Sequence, residues 1–174
     1  MNKLIIILSA VCLVFITACK KDNSSTNFND NLNTGRCRMW CDISGNISLN
    51  FKSDDGYSFS AYNTVSMVLE PEIWNAATGN KEHISLLVPV NTTPGTYNLS
   101  AAGAPNISFS FTKENLYAGE SKTWNATVGS NMTFVLTKSS YTELEGTFSG
   151  TAVSDADGST VTITNGKFKT VFTH

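Results

Sequence analysis

The sequence predicts an all-β domain at residues 36–174: a single antiparallel β-sandwich, with a flattened or lipocalin-like β-barrel as the alternative. From residue 36 onward apolar residues recur with a period of two, the period of side chains along a half-buried strand. Glycine and proline interrupt these segments at short spacings, which is typical of sandwiches and barrels. A chain of this size can bury roughly 70% of its unfolded surface, so its core needs neither a disulfide framework nor a metal.

The individual strands follow from this alternation and from the turn residues that bound them. Residues 47–51 and 57–61 alternate on either side of Asp54-Asp55-Gly56, which predicts a hairpin with Gly56 in a bulged turn. Further strands are predicted at residues 64–70, 83–89, 107–111, 123–128, 132–137, 143–153 and 160–163. No window has the period of a long amphipathic helix.

The C-terminal segment predicts its own register. If Asn165-Gly166 forms a β-bulge, Gly150 lies opposite Ile163 and Gly146 lies opposite Phe168. An aromatic ring over a strand glycine fills the gap that the glycine leaves, which favours the bulge. The alternative is a type I′ hairpin turn at Asn165-Gly166. The residues predicted to share the inward face are Leu144, Phe148, Ile163 and Phe168.

The N-terminus predicts export and lipid attachment. Residues 1–18 have the form of a signal peptide, because a basic start at Lys3 is followed by an apolar run of about 13 residues, shorter than the roughly 20 that span a bilayer. The run ends in Ile16-Thr17-Ala18-Cys19, which resembles the lipobox of bacterial lipoproteins. In a lipobox the cysteine thiol carries diacylglycerol, so Cys19 is the predicted lipidation site.

The residues after Cys19 predict a tether and exclude one class of partner. Residues 20–35 are almost wholly polar and cannot bury a core, so residues 19–35 are predicted to be a lipidated cysteine with a disordered tether. Because the signal contains one basic residue, Lys3, the remaining 156 residues hold 11 Lys and Arg against 14 Asp and Glu. Nucleic acid is bound through clustered Lys and Arg. Nucleic acid is therefore not an expected partner. The membrane is one, through the lipid predicted on Cys19.

Cys37 and Cys41 are the cysteines that remain after export and lipidation. Two remaining cysteines in an oxidising compartment usually pair, so they are a candidate disulfide. On an extended strand, however, residues four apart lie about 13 Å apart, beyond the roughly 7 Å limit between the α-carbons of a disulfide. Either the segment turns and the disulfide forms, or both cysteines are buried on one strand. A zinc site would need two further ligands that this chain hardly offers, so neither a metal nor another cofactor is expected.

The residues that could carry catalysis do not favour an enzyme. The chain has two histidines, and His83 is expected to be a solvated residue at the start of a strand. The motifs Gly-x-Ser-x-Gly and His-Glu-x-x-His do not occur. Paired carboxylates can hydrolyse glycosides, but Glu143 and Glu145 are predicted on the wet face of the sheet, and Asp155 and Asp157 in a turn.

Three tryptophans divide between core and surface. Trp40 and Trp74 are candidate exposed aromatic contacts, because a flat ring can stack on the apolar face of a sugar. Trp124 has the parity of its apolar neighbours and is predicted to lie in the core.

Several segments resemble small exported lipoproteins of the Bacteroidetes type that carry an uncharacterised β-domain. They are the lipobox with Cys19-Lys20-Lys21-Asp22, Pro94-Gly95-Thr96-Tyr97, Gly146-Thr147-Phe148-Ser149 and residues 161–168. The family has no established activity, so the resemblance implies none. The basic and acidic residues after Cys19 imply an outer-membrane lipoprotein of the cell envelope, with a domain that can face the outside.

The leading expectation is a lipid-anchored, non-enzymatic module that has a structural role or binds a glycan or a protein. One alternative is a small-ligand carrier of lipocalin-like shape, which needs an apolar cavity of about 300 Å³ or more. The other is a polysaccharide hydrolase, which needs two carboxylates about 5–9.5 Å apart in a cleft.

Overall fold

The computed structural model describes residues 27–29, 31–54, 58–62 and 65–172. The predicted signal peptide and the predicted lipidation site Cys19 lie outside the described residues. Within them the chain forms strands, turns and loops and no α-helix, in agreement with the period-two pattern. Consequently, the described part of the chain has no helix of the length and hydropathy that crossing a membrane requires.

Eleven strands make up the domain, beginning where the alternation of apolar residues begins. They are β1 (Arg36–Gly45), β2 (Leu49–Asp54), β3 (Ser58–Tyr62), β4 (Ser66–Asn75), β5 (Asn80–Pro89), β6 (Gly95–Asn98), β7 (Ser108–Asn115), β8 (Glu120–Ala126), β9 (Met132–Ser139), β10 (Glu143–Val153) and β11 (Thr160–Val171).

The strands belong to one antiparallel sheet whose main path runs β2-β1-β11-β10-β8-β7-β5-β4-β3. Most of β10 pairs with β9, which also pairs with β6, whereas Val153 at the end of β10 lies opposite Asn125 of β8. The sheet curls until its two ends approach each other. There the hydroxyl of Ser53 in β2 donates a hydrogen bond to the carbonyl of Glu72 in β4, at 3.3 Å. The predicted all-β antiparallel fold is confirmed, in a nearly closed, barrel-like form.

The hairpin predicted between residues 47–51 and 57–61 is wrong. β2 pairs with β1, where Phe51 lies opposite Cys41, and β3 pairs with β4, where Phe59 lies opposite Glu70. β2 and β3 are thus the two ends of the sheet path. Alternation identified both strands, but a period of two determines which residues face inward and not which strand is the neighbour.

The register predicted for the C-terminal strands is confirmed. Gly150 lies opposite Ile163 and Gly146 lies opposite Phe168, with a shift of register between the two pairs. Asn165 has a positive φ of 54° at this bulge, and β11 continues through it, so the type I′ turn does not form. A Cβ atom on Gly146 would lie 2.8 Å from Cζ of Phe168, so the ring covers the glycine as predicted.

Aromatic rings fill the middle of the domain. The centroid of the Phe148 ring lies 5.4 Å from that of Phe109, 6.0 Å from that of Phe134 and 6.1 Å from that of Phe168. All four residues predicted to face inward are buried, namely Leu144, Phe148, Ile163 and Phe168. Trp124 is also buried, as predicted, and stacks on Phe111 at a centroid distance of 5.6 Å.

Candidate functional site

The turn between β4 and β5 is held by one asparagine. The carboxamide oxygen of Asn75 accepts hydrogen bonds from the backbone N–H groups of Ala77 and Thr78, at 3.1 and 3.3 Å. Asparagine favours turns because its side chain bonds the backbone two residues further on. Gly79 closes the turn with a φ of 70°, a conformation that glycine adopts without strain.

The turn between β7 and β8 repeats this chemistry forty residues later. The carboxamide oxygen of Asn115 accepts hydrogen bonds from the N–H groups of Tyr117 and Ala118, at 3.1 and 2.9 Å. Gly119 ends this turn with a φ of 68°. The two turns therefore share an Asn-x-x-x-Gly sequence and the same backbone geometry.

The two turns are bonded to each other. The hydroxyl of Tyr117 donates a hydrogen bond to the carbonyl of Ala76 at 2.6 Å, and the N–H of Leu116 donates one to the carbonyl of Gly79 at 2.9 Å. The Tyr117 ring also lies against Gly79, where an added Cβ would be 2.7 Å from the ring. The backbone of one turn thus fixes the aromatic side chain of the other.

Three large apolar side chains are exposed on these turns, and we call them the hairpin tips: Trp74, Leu116 and Tyr117. Their exposed fractions are 47%, 54% and 71% respectively. Trp74 lies opposite Lys81, whose ammonium group is 2.8 Å from the Glu72 carboxylate. The hydrogen bond that Lys81 donates to the Glu72 carboxylate holds the pKa of Lys81 above its usual value.

A pocket of about 370 Å³, which we call the end pocket, lies at the same end of the sheet as the hairpin tips, and none of the three hairpin-tip side chains lines it. It is lined by Ile47, Asn80, Lys113, Glu114, Asn115, Glu120, Ser121, Lys122 and Trp124. The amide nitrogen of Asn115 donates to the amide oxygen of Asn80 at 3.1 Å. The ammonium of Lys122 lies 5.1 Å from the Trp124 ring centroid and 2.6 Å from the Asp157 carboxylate, and this bond lowers the pKa of Asp157.

Trp40 lies on the outer face of β1 but is half-buried, which corrects the expectation of an exposed contact. The ring of Phe28 meets it edge-on at a centroid distance of 5.1 Å, and the ammonium of Lys52 lies 4.4 Å from its centroid. Its indole N–H donates a hydrogen bond to the Asp54 carboxylate. Phe28 belongs to the predicted tether, where the polar composition gave no sign that one residue would pack.

Cys37 and Cys41 both face inward on β1 and are buried, and no disulfide joins these two described residues. The alternative of two cysteines on one strand applies rather than the local disulfide, since β1 stays extended between them. Burial raises the pKa of Cys41 to about 12. Its reactive thiolate form is therefore scarce at neutral pH.

The carboxylates considered for hydrolysis bond to neighbouring side chains on the surface. The ammonium of Lys138 lies 3.1 Å from the Glu143 carboxylate and 3.5 Å from that of Glu145. Asp155 accepts a hydrogen bond from the Asn125 amide at 3.1 Å. His83 is half-buried, and burial lowers its pKa. Within the described residues no three His, Cys, Asp or Glu side chains are grouped to hold a metal ion.

The sequence predicts exposure for one of the three hairpin-tip residues, Trp74. Leu116 and Tyr117 lie in a segment for which the period-two pattern predicts no strand, so that pattern does not indicate their exposure. The repeated Asn-x-x-x-Gly at residues 75–79 and 115–119 was the signal that would have placed all three on matching turns.

Comparison with known proteins identifies a family but no activity. The family described as Domain of unknown function (DUF6252) matches residues 46–172, which include β2 to β11 and both turns. No curated protein matches the chain, and no solved structure matches it. The matched region begins just after β1, although β1 lies between β2 and β11 in the sheet.

Proposed function

Because the chain belongs to the DUF6252 family of unknown function, it takes no activity from its relatives, and we propose one from its own residues. The protein is an exported bacterial lipoprotein, anchored in the outer membrane through Cys19, that binds a glycan without transforming it. Its contact surface is the hairpin tips, and the polar side chains of the end pocket provide the hydrogen bonds.

The observation that supports binding is the exposure of Trp74, Leu116 and Tyr117 on rigid turns. Tryptophan and tyrosine dominate the energetics of many interfaces, and an exposed apolar cluster marks a contact surface. Tyr117 is already fixed by its hydrogen bond to Ala76, so binding loses little side-chain freedom.

The lining of the end pocket favours a glycan over a charged ligand. Its two lysines, Lys113 and Lys122, are matched by two glutamates, Glu114 and Glu120, so the lining has no net charge from these groups. The amides of Asn80 and Asn115 add donors and acceptors. Aromatic rings beside neutral, amide-rich surfaces suit sugars, which present apolar ring faces and many hydroxyl groups.

Substitution of Cys19 tests the anchor. Cys19→Ala is expected to abolish fatty-acid incorporation and to leave unprocessed precursor, because the lipobox thiol is the acceptor. Metabolic labelling with an alkyne fatty acid measures this, and the wild type should stay with membranes in high salt, since stable anchoring takes two lipid signals. Cys12→Ala changes a cysteine inside the signal and is the matched control. Equal labelling of the Cys19→Ala and wild-type proteins would contradict the anchor.

Substitution of Trp74 tests glycan binding. The chain spanning residues 20–174 is applied to an array of immobilised oligosaccharides, and the affinity for the sugars it retains is then measured by calorimetry. Trp74→Ala and Tyr117→Ala are each expected to weaken binding at least about tenfold, the equivalent of about 1.4 kcal/mol.

The control is Tyr141→Ala, which removes an exposed aromatic ring from the β9–β10 turn at the opposite end of the sheet. This variant should bind like the wild type. An array on which the protein retains no sugar contradicts the glycan proposal. Retention that neither hairpin-tip substitution weakens contradicts the assignment of the surface.

A further inference from the structure

The N-terminal segment at residues 27–29 lies across the outer face of β1. Phe28 is only 9% exposed, and its ring meets the Trp40 ring at an interplanar angle of 70°. The ammonium of Lys167 in β11 lies 5.8 Å from the Phe28 ring centroid. An otherwise polar segment thus places its one aromatic residue against two strands of the domain.

Arg38 binds the backbone of the same segment. Its side chain is on β1, only 2% of the residue is exposed, and its Nη1 donates hydrogen bonds to the carbonyls of Asn27 and Phe28 at 2.9 and 3.0 Å. Its Nε lies 3.7 Å from the Asp54 carboxylate. A buried guanidinium is costly unless it is paired and hydrogen-bonded. The carbonyls of Asn27 and Phe28 therefore help to offset the cost of burying Arg38.

The surface that receives Phe28 is held in place by the domain itself. The Asp54 carboxylate accepts the Trp40 indole N–H and lies 3.4 Å from the ammonium of Lys52. Lys52 in turn lies over the Trp40 ring. Trp40 is therefore oriented by β2, and Phe28 adds to a preformed aromatic and cationic surface.

We infer that the outer face of β1 around Arg38 and Trp40 is a docking site for the chain's own residues 27–29, and that this docking limits how far the domain stands from the membrane. The second half rests on the proposed lipid anchor at Cys19. Asn27 follows Cys19 by eight residues, and Arg36 follows it by seventeen. At about 3.5 Å per residue, the lipid can lie at most about 28 Å from docked Asn27, against about 60 Å from Arg36 if the segment were released.

Docking also bears on which end of the domain faces outward. Arg36 lies opposite Val171, at the far end of β11 from the turn that carries Asp157. Asp157 bonds Lys122 in the end pocket. A short connection to the first half of β1 thus holds the end of the sheet that contains Arg36 and Val171 towards the membrane. The end that carries the hairpin tips then faces away from it.

The first experiment measures docking without lipid. In the chain spanning residues 20–174, which includes every described residue, a ¹H–¹⁵N correlation spectrum reports the indole N–H of each tryptophan. Phe28→Ala is expected to shift the Trp40 resonance and to leave those of Trp74 and Trp124 in place. Tyr141→Ala is the matched control and should shift none of the three. An unmoved Trp40 resonance overturns the docking site, whatever the state of Cys19.

The second experiment measures spacing on a membrane. The acylated full chain is placed in lipid vesicles with an acceptor dye on the headgroups and a donor dye on an Ala118→Cys variant, since Cys37 and Cys41 are buried. Adding Phe28→Ala is expected to lower the transfer efficiency, because the domain can then move away. If Phe28→Ala shifts the Trp40 resonance but leaves the transfer efficiency unchanged, residues 27–29 dock without limiting the distance between domain and membrane, and that part of the inference is overturned. A protein that does not join the vesicles contradicts the lipid anchor instead, and the spacing with it.

Discussion

Phe148→Ala is expected to lower the free energy of unfolding by about 3–5 kcal/mol, the usual cost of deleting a buried ring. Phe148 is in ring contact with Phe109, Phe134 and Phe168, which come from three other strands, so its removal leaves a cavity that no single strand can close. This is a large part of the 5–15 kcal/mol that typically stabilises a domain. Chemical denaturation of the chain spanning residues 20–174 measures the effect.

Glu145→Ala is the control on the same strand and the opposite face. Glu145 contributes a surface ion pair to Lys138, at 3.5 Å, and such pairs contribute little. The variant should therefore remain within about 0.5 kcal/mol of the wild type. Similar shifts of the two unfolding midpoints would mean that the inward face of β10 is assigned wrongly.

Gly146→Ala is expected to destabilise the domain by about 1–3 kcal/mol, although alanine adds only one methyl group. A Cβ at this position would overlap the carbonyl oxygen of Val135 and press on the Phe168 ring. Neither can yield easily, because Val135 lies within the β9–β10 pairing and Phe168 is fully buried. The same denaturation experiment measures the loss.

Gly95→Ala provides the matched control for Gly146→Ala. Both glycines lie opposite Leu136 of β9, one from β6 and the other from β10. A Cβ on Gly95 would make only ordinary contacts, the nearest at 3.5 Å from the Tyr97 hydroxyl. This variant should change stability by less than about 1 kcal/mol. If Gly95→Ala and Gly146→Ala lower the free energy of unfolding equally, the lack of space for a Cβ atom is not the reason that Gly146 is needed.

The C-terminal strands show what a single sequence can specify. Phe148, Ile163 and Phe168 share an inward face only if one extra residue lies at Asn165, so alternation and glycine placement together predicted a bulge that exists. Such local patterns carry register because successive side chains point to opposite faces.

The parts that could not be predicted depend on contacts between distant segments. β2 pairs with β1 rather than with β3, and β6, only four residues long, is recognisable as a strand through its pairing with β9. The same holds for the candidate site. The position of Tyr117 depends on a carbonyl 41 residues earlier, and that of Phe28 on Arg38 and Trp40, and neither contact leaves a periodic signal.

The junction between the two ends of the sheet has a consequence for how the domain fluctuates. Within the described residues, adjacent strands of the sheet path share backbone pairings, whereas β2 reaches β4 through the hydroxyl of Ser53 and has no backbone pairing with β3 or β4. Transient opening is easiest where the fewest hydrogen bonds must break together. We therefore expect β2 and β4 to separate at this junction more often than β10 and β11, which pair along most of their length, while the turn after Trp74 stays fixed by the hydrogen bond from Tyr117 to Ala76.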